Sequence, residues 1–455
     1  MDEAKTTLYE RQPPLSAVLT AALPTVASQL INMVYNMADT YFVGRLGDPD
    51  QVAAVALSAP AALVLTALAN LFGIGGAGVF SRALGGGDGE RARRASAFSL
   101  YAAAAVSVLI SLAFGLFPAA TARLLGADAA TAPYTRQYLF WVIVCGAPLS
   151  LLSMVMSHFV RAEGGGGAAG MILSAGGLLN LGLDPLFMFV FHMGLRGAAA
   201  ATWCSSFITC ALFAAWFVRR RGRCAVSFRP GSLTPDRELM GDVLGTGLPG
   251  MLQTLLASLS NAVLNHLTAA FGSVAVAAMG IVKKLDQIPM SVTIGFAQGI
   301  VPLLSYCHAA GKTERRRAVL RWALGLAVGF SVLCAAVYEL FPGPMIRLFL
   351  RDGATVETGT PLLRLMCVST PLMAVGFLLI TLCQSMGLKR EGTALSVLRK
   401  GAVDIPLMLL LGALIPLRGL ACVQPLTELI AAAAALRVYL RVRDPQQVKP
   451  QRSEL

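Results

Sequence analysis

Charge is scarce in this sequence. Asp, Glu, Lys and Arg make up 13% of its 455 residues while 56% are hydrophobic, against roughly 25% charged residues in an ordinary soluble domain. That balance excludes a water-soluble globular fold. The nine cysteines are scattered, mostly within apolar runs, and no CxxC pair occurs, so neither a disulfide framework nor a zinc site is indicated. His158, His192, His266 and His308 have no ligand spacing and read as boundary residues; His192-Met193 is a single adjacent pair, too little for a copper site. Gly85–Gly87 and Gly164–Gly167 sit at the ends of apolar runs, where tight turns suffice. GKT at 311–313 lacks the earlier glycine of a P-loop, because Tyr306 occupies that place. No nucleophile–base pair or metal constellation is found, so an enzyme is not expected, nor is any cofactor. The net charge of +13 sits in short clusters between apolar runs, which fits a membrane better than a nucleic-acid face.

What the chain has in abundance is apolar runs long enough to cross about 30 Å of hydrocarbon. Twelve are expected, at approximately 15–43, 52–82, 95–118, 134–160, 168–191, 195–218, 240–270, 274–308, 317–341, 360–386, 393–415 and 417–440. The fold class is therefore an all-α membrane protein. Pro24, Pro148, Pro249, Pro289, Pro371 and Pro406 fall inside these runs, where each removes a backbone hydrogen bond and favours a kink. The residues before the first run, MDEAKTTLYERQPP, are mixed in charge, and the run itself is longer than a signal-peptide core, so residues 1–14 read as a tail before a retained helix. Basic residues gather in the tails and even-numbered gaps: Arg82, Arg91, Arg93, Arg94, Arg161, Arg219–Arg221, Arg223, Lys312, Arg315–Arg317, Lys389, Arg390, Arg441 and Arg443. The odd-numbered gaps have few: Arg45, Arg123, Arg196, Arg347, Arg351 and Arg418. By the positive-inside rule both termini are cytoplasmic, consistent with an even span count.

The longest polar stretch, residues 219–239, divides the chain into a 15–218 bundle and a 240–440 bundle, with 441–455 as a second tail. The two bundles look like copies. Pro24 matches Pro249, GDGER at 87–91 matches GKTER at 311–315, FPAATARLL at 117–125 matches FPGPMIRLF at 341–349, and RGA at 196–198 matches RGL at 418–420, all 222 to 225 residues apart. Six helices per copy give both the same topology, hence two pseudo-symmetric six-helix bundles related by an axis along the membrane normal, with a substrate site between them.

Ionisable residues inside spans are few, and each costs roughly 2.5–3.5 kcal/mol to place there on insertion scales. Asp184 sits in an apolar helix with Asn180 four residues earlier on the same face, about 6 Å along the axis. Asp39 lies near the end of the first span and Thr202 at the start of the sixth. In one reading the carboxyls are hydrogen-bond acceptors capping broken helices. In the other they converge as a proton or sodium site, since two carboxyls together in a low dielectric cannot both ionise cheaply. Asp286 and Asp404 have Lys283 and Lys400 three and four residues earlier, so intrahelical ion pairs are the simpler account and a place in a substrate cavity the other. Glu428 has room to pair with a basic residue. Met33, Tyr35, Met37, Met154, Met156, Met251, Gln253, Met279 and Met290 are further candidates for a cavity that takes amphipathic cations, because aromatic faces attract cations and methionines repack around different shapes.

Taken in order, DTYFVGRLG after the proline-bearing first helix, SRALGGGD, RAEGGG, NLGLDPLF with GLRGAAAAT, GFAQGIVPLLSY with AAGKTERR, QSMGLKR, IPLMLLL and RGLACVQPLTE resemble the multidrug and toxic compound extrusion (MATE) family over nearly the whole chain. The resemblance implies a monomeric antiporter of the bacterial inner membrane whose bundles form a V-shaped cavity alternately facing each side. It implies export of small cationic drugs against protons or sodium, with a coupling site at positions matching Asp39, Asn180, Asp184 and Thr202, and Pro24 as a hinge. It also implies an acid in the seventh helix in some members; here that helix has none, with Gln253 the nearest polar candidate, which argues against a second acidic cation site. Asp404 stands where the family is usually apolar. A lipid-linked-precursor flippase of the same superfamily shares the topology, and a net positive cavity would favour it.

Overall fold

The computed structural model describes residues 7–233, 236–350, 352–415 and 417–443. Residues 1–6 of the expected first tail, Arg351, and the expected second tail beyond Arg443 lie outside them. Twelve helical passes account for the structure: α1 (Pro14–Gly44), α2 (Pro49–Gly85), α3 (Gly89–Leu116), α4 (Ala132–Cys145 and Ala147–Ala162), α5 (Gly166–Val190), α6 (Leu195–Arg219), α7 (Arg237–Ala269), α8 (Ser273–Ala309), α9 (Thr313–Leu340), α10 (Gly353–Cys367 and Thr370–Met386), α11 (389–414) and α12 (Arg418–Arg443). Eight are single helices long and apolar enough to span a membrane, and α4 and α10 are bent pairs. By length and composition α7 and α11 fall short of the other ten. Along α7 the apolar pattern is interrupted by Gln253, Thr254, Ser258, Ser260, Asn261 and Asn265; α11 carries Arg399, Lys400 and Asp404 and is broken by a wide turn at Leu398–Ala402.

The duplication is visible in the breaks. α4 bends by 47° and α10 by 43°, and Pro148 and Pro371 stand at the start of the two second segments, where a missing N–H costs nothing. The matched strings FPAATARLL and FPGPMIRLF form equivalent short helices, Pro118–Leu124 and Pro342–Arg347. Pro24, Pro249 and Pro289, by contrast, lie in helices that run on unbroken. Pro406 sits in the first turn of Asp404–Leu414.

The halves meet chiefly where α1 packs on α8 and α2 on α7. Glycines set the approach. A Cβ on Gly247 would lie 1.9 Å from the Leu71 carbonyl oxygen, and one on Gly75 would lie 2.2 Å from that of Val243. Gly295 and Gly299 stand equally close to Val26 and Ala22, with 2.5 Å from an added Cβ to each Cα. All four positions lie toward the end that holds the start of α1 and the basic loops, here called the basic end. Polar contacts pin the same end. Arg82 donates to the carbonyls of Gln384 (3.1 Å) and Ser385 (3.3 Å) and to Thr246 Oγ1 (3.0 Å). Asp242 accepts from Arg91 at 2.5 Å and Lys389 at 2.6 Å.

A short N-terminal strap, Thr7–Arg11, closes over this junction. Tyr9 donates to the Ala162 carbonyl at 2.7 Å and stacks on Tyr306 with ring centroids 4.8 Å apart. Glu10 pairs with Lys312 at 2.8 Å and accepts from Tyr306 at 2.7 Å, and Arg315 donates to the Leu8 carbonyl at 2.9 Å. Further along, Asn70 donates to Thr254 at 2.9 Å. Beyond that bond, toward the far end, no hydrogen bond or ion pair joins the halves among the described residues. The faces buried at the basic end come to the surface there, as at Val64, Asn261, Asn265 and Lys284. The molecule is a cleft closed at the basic end and open at the other.

Two outcomes are expected. Gly247→Val forces the Leu71 backbone away and lowers stability by about 1–3 kcal/mol, read as thermal unfolding in detergent, whereas Gly241→Val, which meets open space, leaves it unchanged. The hydrogen bonds from Lys312 and Tyr306 hold the Glu10 carboxyl below the usual glutamate range. Its contribution to strap docking is therefore present above the ordinary glutamate pKa and lost as pH falls through the lowered one. Hydrogen exchange of the strap amides, corrected for its intrinsic pH dependence, is expected to accelerate over that acid range in the native protein, and Glu10→Gln to remove the dependence.

Candidate ion-coupling site

α1 and α5 run parallel in register. The Pro24 backbone lies under Gly170, whose added Cβ would be 2.5 Å from the Pro24 oxygen, and Gly177 faces Ile31 and Tyr35 at 3.2 and 3.4 Å. Seven residues on from Gly177 the α5 stripe through Gly170 reaches Asp184, and four on from Tyr35 the α1 stripe through Ile31 reaches Asp39. Glycine supplies the close approach, and the helical repeat then delivers two carboxylates to one level. The charge of Asp39 acts on Asp184, Tyr35 and Tyr138 alike, which places all four in one electrostatic neighbourhood.

The neighbourhood is largely buried and incompletely satisfied. Asp184 is fully buried and Asn180 nearly so. With its amide turned to suit its neighbours, Asn180 donates to Asp184 Oδ2 at 3.2 Å and accepts from the Thr202 N–H at 3.2 Å, tying α5 to α6. The Thr202 hydroxyl donates to the Ala198 carbonyl at 3.1 Å. Asp39 Oδ1 and Asp184 Oδ1 are both buried without a partner. Two orphaned carboxylate oxygens beside an amide and a hydroxyl make an acceptor-rich pocket, and such a pocket is completed by a proton or a small hard cation. Pro185 and the wide turn Leu186–Val190 follow Asp184 directly, in keeping with the frequent placement of such turns at functional sites. The structure thus brings Asp39, Asn180, Asp184 and Thr202 together within the first half.

The MatE family model matches residues 24–186 and 249–410, one match in each half. The chain is 30% identical over 438 residues to the multidrug export protein MepA of Staphylococcus aureus (strain NCTC 8325 / PS 47), covering 96% of both chains. It belongs to the MatE family. A second relative, MepA of Staphylococcus saprophyticus, is 29% identical over 436 residues, again covering 96% of both. The fold of this MATE chain matches an outward-facing MATE family transporter of the MOP superfamily with TM-score 0.89 at 23% identity, covering 97% of this chain and 98% of the other. It matches the Vibrio cholerae MATE transporter VcmN with TM-score 0.88 at 23% identity and the same coverage.

The remaining candidates of this MATE chain divide by helix face. Tyr35 lies in the electrostatic neighbourhood of the carboxylates, and helix phase puts Met33 and Met37 on the opposite side of α1, eleven residues on from Ala22 and Val26, which meet α8. Met154, Met251, Gln253 and Met290 are half-buried. Four expected cavity residues turn inward instead. Met156 and Met279 are 5% and 1% exposed and pack in the cores of their own halves. Asp404 accepts from Ser260 at 2.5 Å and pairs with Lys400 at 3.6 Å, so the intrahelical pair is present but is the longer contact. Asp286 does not pair directly with Lys283. Gln424 stands between them, accepting from Lys283 and donating to Asp286, both at 2.9 Å.

The basic partner left unnamed for Glu428 in the sequence is Arg399. Arg399 donates through Nε and Nη2 to Glu428 at 2.8 Å, both side chains are buried, and Lys400 lies 3.8 Å from the same carboxylate. The clue was present: Arg399 and Glu428 are opposite charges in successive apolar spans, each too costly to leave alone. Breaking this pair by Glu428→Leu is expected to cost about 3–5 kcal/mol, because Arg399 stays buried without an acceptor, while the double variant Arg399→Met, Glu428→Leu recovers most of it. Thermal unfolding in detergent distinguishes the two.

Proposed function

We propose that this chain is a secondary antiporter that exports amphipathic drug-like molecules, organic cations among them, in exchange for protons or sodium bound at Asp39 and Asp184. The observation that carries this reading is that α1 serves two compartments. One face holds Tyr35 and Asp39 against α5; the other presents Met33 and Met37 to the cleft. Ion binding between the orphaned carboxylate oxygens removes their mutual repulsion and draws the far half of α1 toward α5. The same motion turns the methionine face and reshapes the cleft, with Pro24 and its missing hydrogen bond as the compliant point below. Substrate and ion then compete through one helix, which is the differential interaction an exchange cycle needs.

The names of the staphylococcal relatives, multidrug export proteins, support drug export as the task. The Lys and Arg distribution supports cytoplasmic termini in a bacterial inner membrane, so the cleft opens outward in this state. The flippase alternative has one point in its favour, a lysine at position 284 on the cleft side of α8. A single cation is nevertheless a poor match for a lipid diphosphate with several negative charges.

The test is efflux of a fluorescent amphipathic cation from proteoliposomes under separately imposed proton and sodium gradients. One gradient is expected to accelerate efflux, and Asp39→Asn and Asp184→Asn each to remove that acceleration. If both variants retain full ion-dependent efflux, the coupling site lies elsewhere.

A further inference from the structure

The two walls of the cleft differ in chemistry, and the difference follows from helix phase. Eleven residues make about three turns, so positions eleven apart share a face. On α1, Ala22 and Val26 meet α8 at the basic end; three turns further along, Met33 and Met37 hold the same face. On α2, three turns back from Gly75 brings Val64, 43% exposed. The wall of the first half thus presents Met33, Met37 and Val64, with Thr40 exposed on the same face of α1. On α7, Gly250 and Thr254 face α2, and eleven residues on from each stand Asn261 and Asn265, both exposed. On α8, Gly295 faces Val26, and eleven residues back stands Lys284, also exposed. The wall of the second half is polar and cationic.

Lys284 is unusual among the intramembrane cations of that half. Lys283 is bound to Gln424, Lys400 to Asp404, and Arg399 to Glu428. Among the described residues no carboxylate or hydrogen-bond acceptor engages Lys284. It lies eleven residues into α8, about 16 Å below the far end. The nearby acids cannot neutralise it. Asp286, two positions on, is turned into its own half toward Gln424, and on the other side Asp184 is fully buried and Asp39 lies on the α5 side of α1.

We propose that the second-half wall is a recognition site for an anionic group of the exported molecule, with Lys284 as counter-ion and Asn261 and Asn265 as hydrogen-bonding neighbours. Amphipathic zwitterions bearing a carboxylate then fit the cleft better than the same molecules with the carboxylate masked. The apolar body lies on Met33, Met37 and Val64, and the carboxylate on Lys284. The idea rests on the export reading for the identity of the ligand as a transported molecule, but its test does not depend on transport.

The experiment measures binding of a fluorescent amphipathic amino acid and of its methyl ester to purified full-length protein in detergent. Wild type is expected to bind the acid at least about tenfold more tightly than the ester, the range for a hydrogen bond to a charged group. Lys284→Met is expected to abolish that preference while leaving ester binding unchanged, Lys284→Arg to retain it, and Asn261→Ala to reduce it. Equal effects of Lys284→Met on acid and ester overturn the proposal, as does equal binding of the two by wild type. Displacement of the probe by a lipid phosphate but not by the carboxylate compound also overturns it. If the acid preference and its dependence on Lys284 hold while neither imposed gradient drives efflux, the recognition site stands and the export reading falls.

Discussion

The halves of this transporter touch backbone to backbone at two crossings, α2 on α7 and α1 on α8, and the shape of everything beyond follows from that contact. No side chain separates the helices at Gly247 or Gly75, nor at Gly295 or Gly299. Helices held this closely in one place and not parallel must diverge elsewhere. The divergence is the cleft, and its walls are the continuation of the same helical faces past the point where the glycines end. Without the glycines the basic end would be held apart by the width of a side chain, and Arg82, Asp242 and the strap would lose the short distances at which they act.

α1 carries the other half of the logic. It packs on α5 within its own half and on α8 across the junction, so it belongs structurally to both. Any movement that changes the separation of Asp39 and Asp184 is felt three turns from Val26 at Met37, because a helix transmits rotation better than it absorbs it. The second half disposes its charges differently: Arg399 pairs with Glu428 and Lys400 with Asp404, while Gln424 bridges Lys283 and Asp286 and Asp286 keeps one buried oxygen without a partner. The duplication has kept the frame of the two halves and let their chemistry diverge.

How much of this was legible in the sequence depends on the range of the interaction. Hydropathy located twelve passes to within a few residues, because span length is set by the bilayer and needs no partner. The repeat was legible through prolines and turn strings, which act locally. The Asp39, Asn180, Asp184 and Thr202 group could be assembled because its members are rare polar residues in apolar surroundings. What could not be read was direction around the helix axis once two partners compete for a face. Met279 and Met37 look alike in sequence, yet one is core and the other faces the cleft. Asp286 had a lysine at ideal spacing and still took Gln424, 138 residues away, as its partner. A tail of mixed charge gave no sign that Tyr9 would stack on a tyrosine nearly 300 residues on.

That last contact has a consequence for how the molecule is made. The strap is synthesised ahead of all twelve helices, yet Tyr306, Lys312 and Arg315, which help to hold it, lie at the end of α8, in the turn after it and at the start of α9. The Glu10–Tyr306 bond alone spans 296 residues, and at about 5–20 residues per second the strap waits roughly 15–60 s for its partners to emerge. During that interval the strap has the Ala162 carbonyl of the first half, which takes the Tyr9 hydrogen bond, but not the tyrosine, lysine and arginine that complete its docking. The strap's remaining contacts form only when the end of α8 and the start of α9 have arrived. Its docking is thus a late event in biogenesis, one that reports that the second half has been delivered and joined to the first.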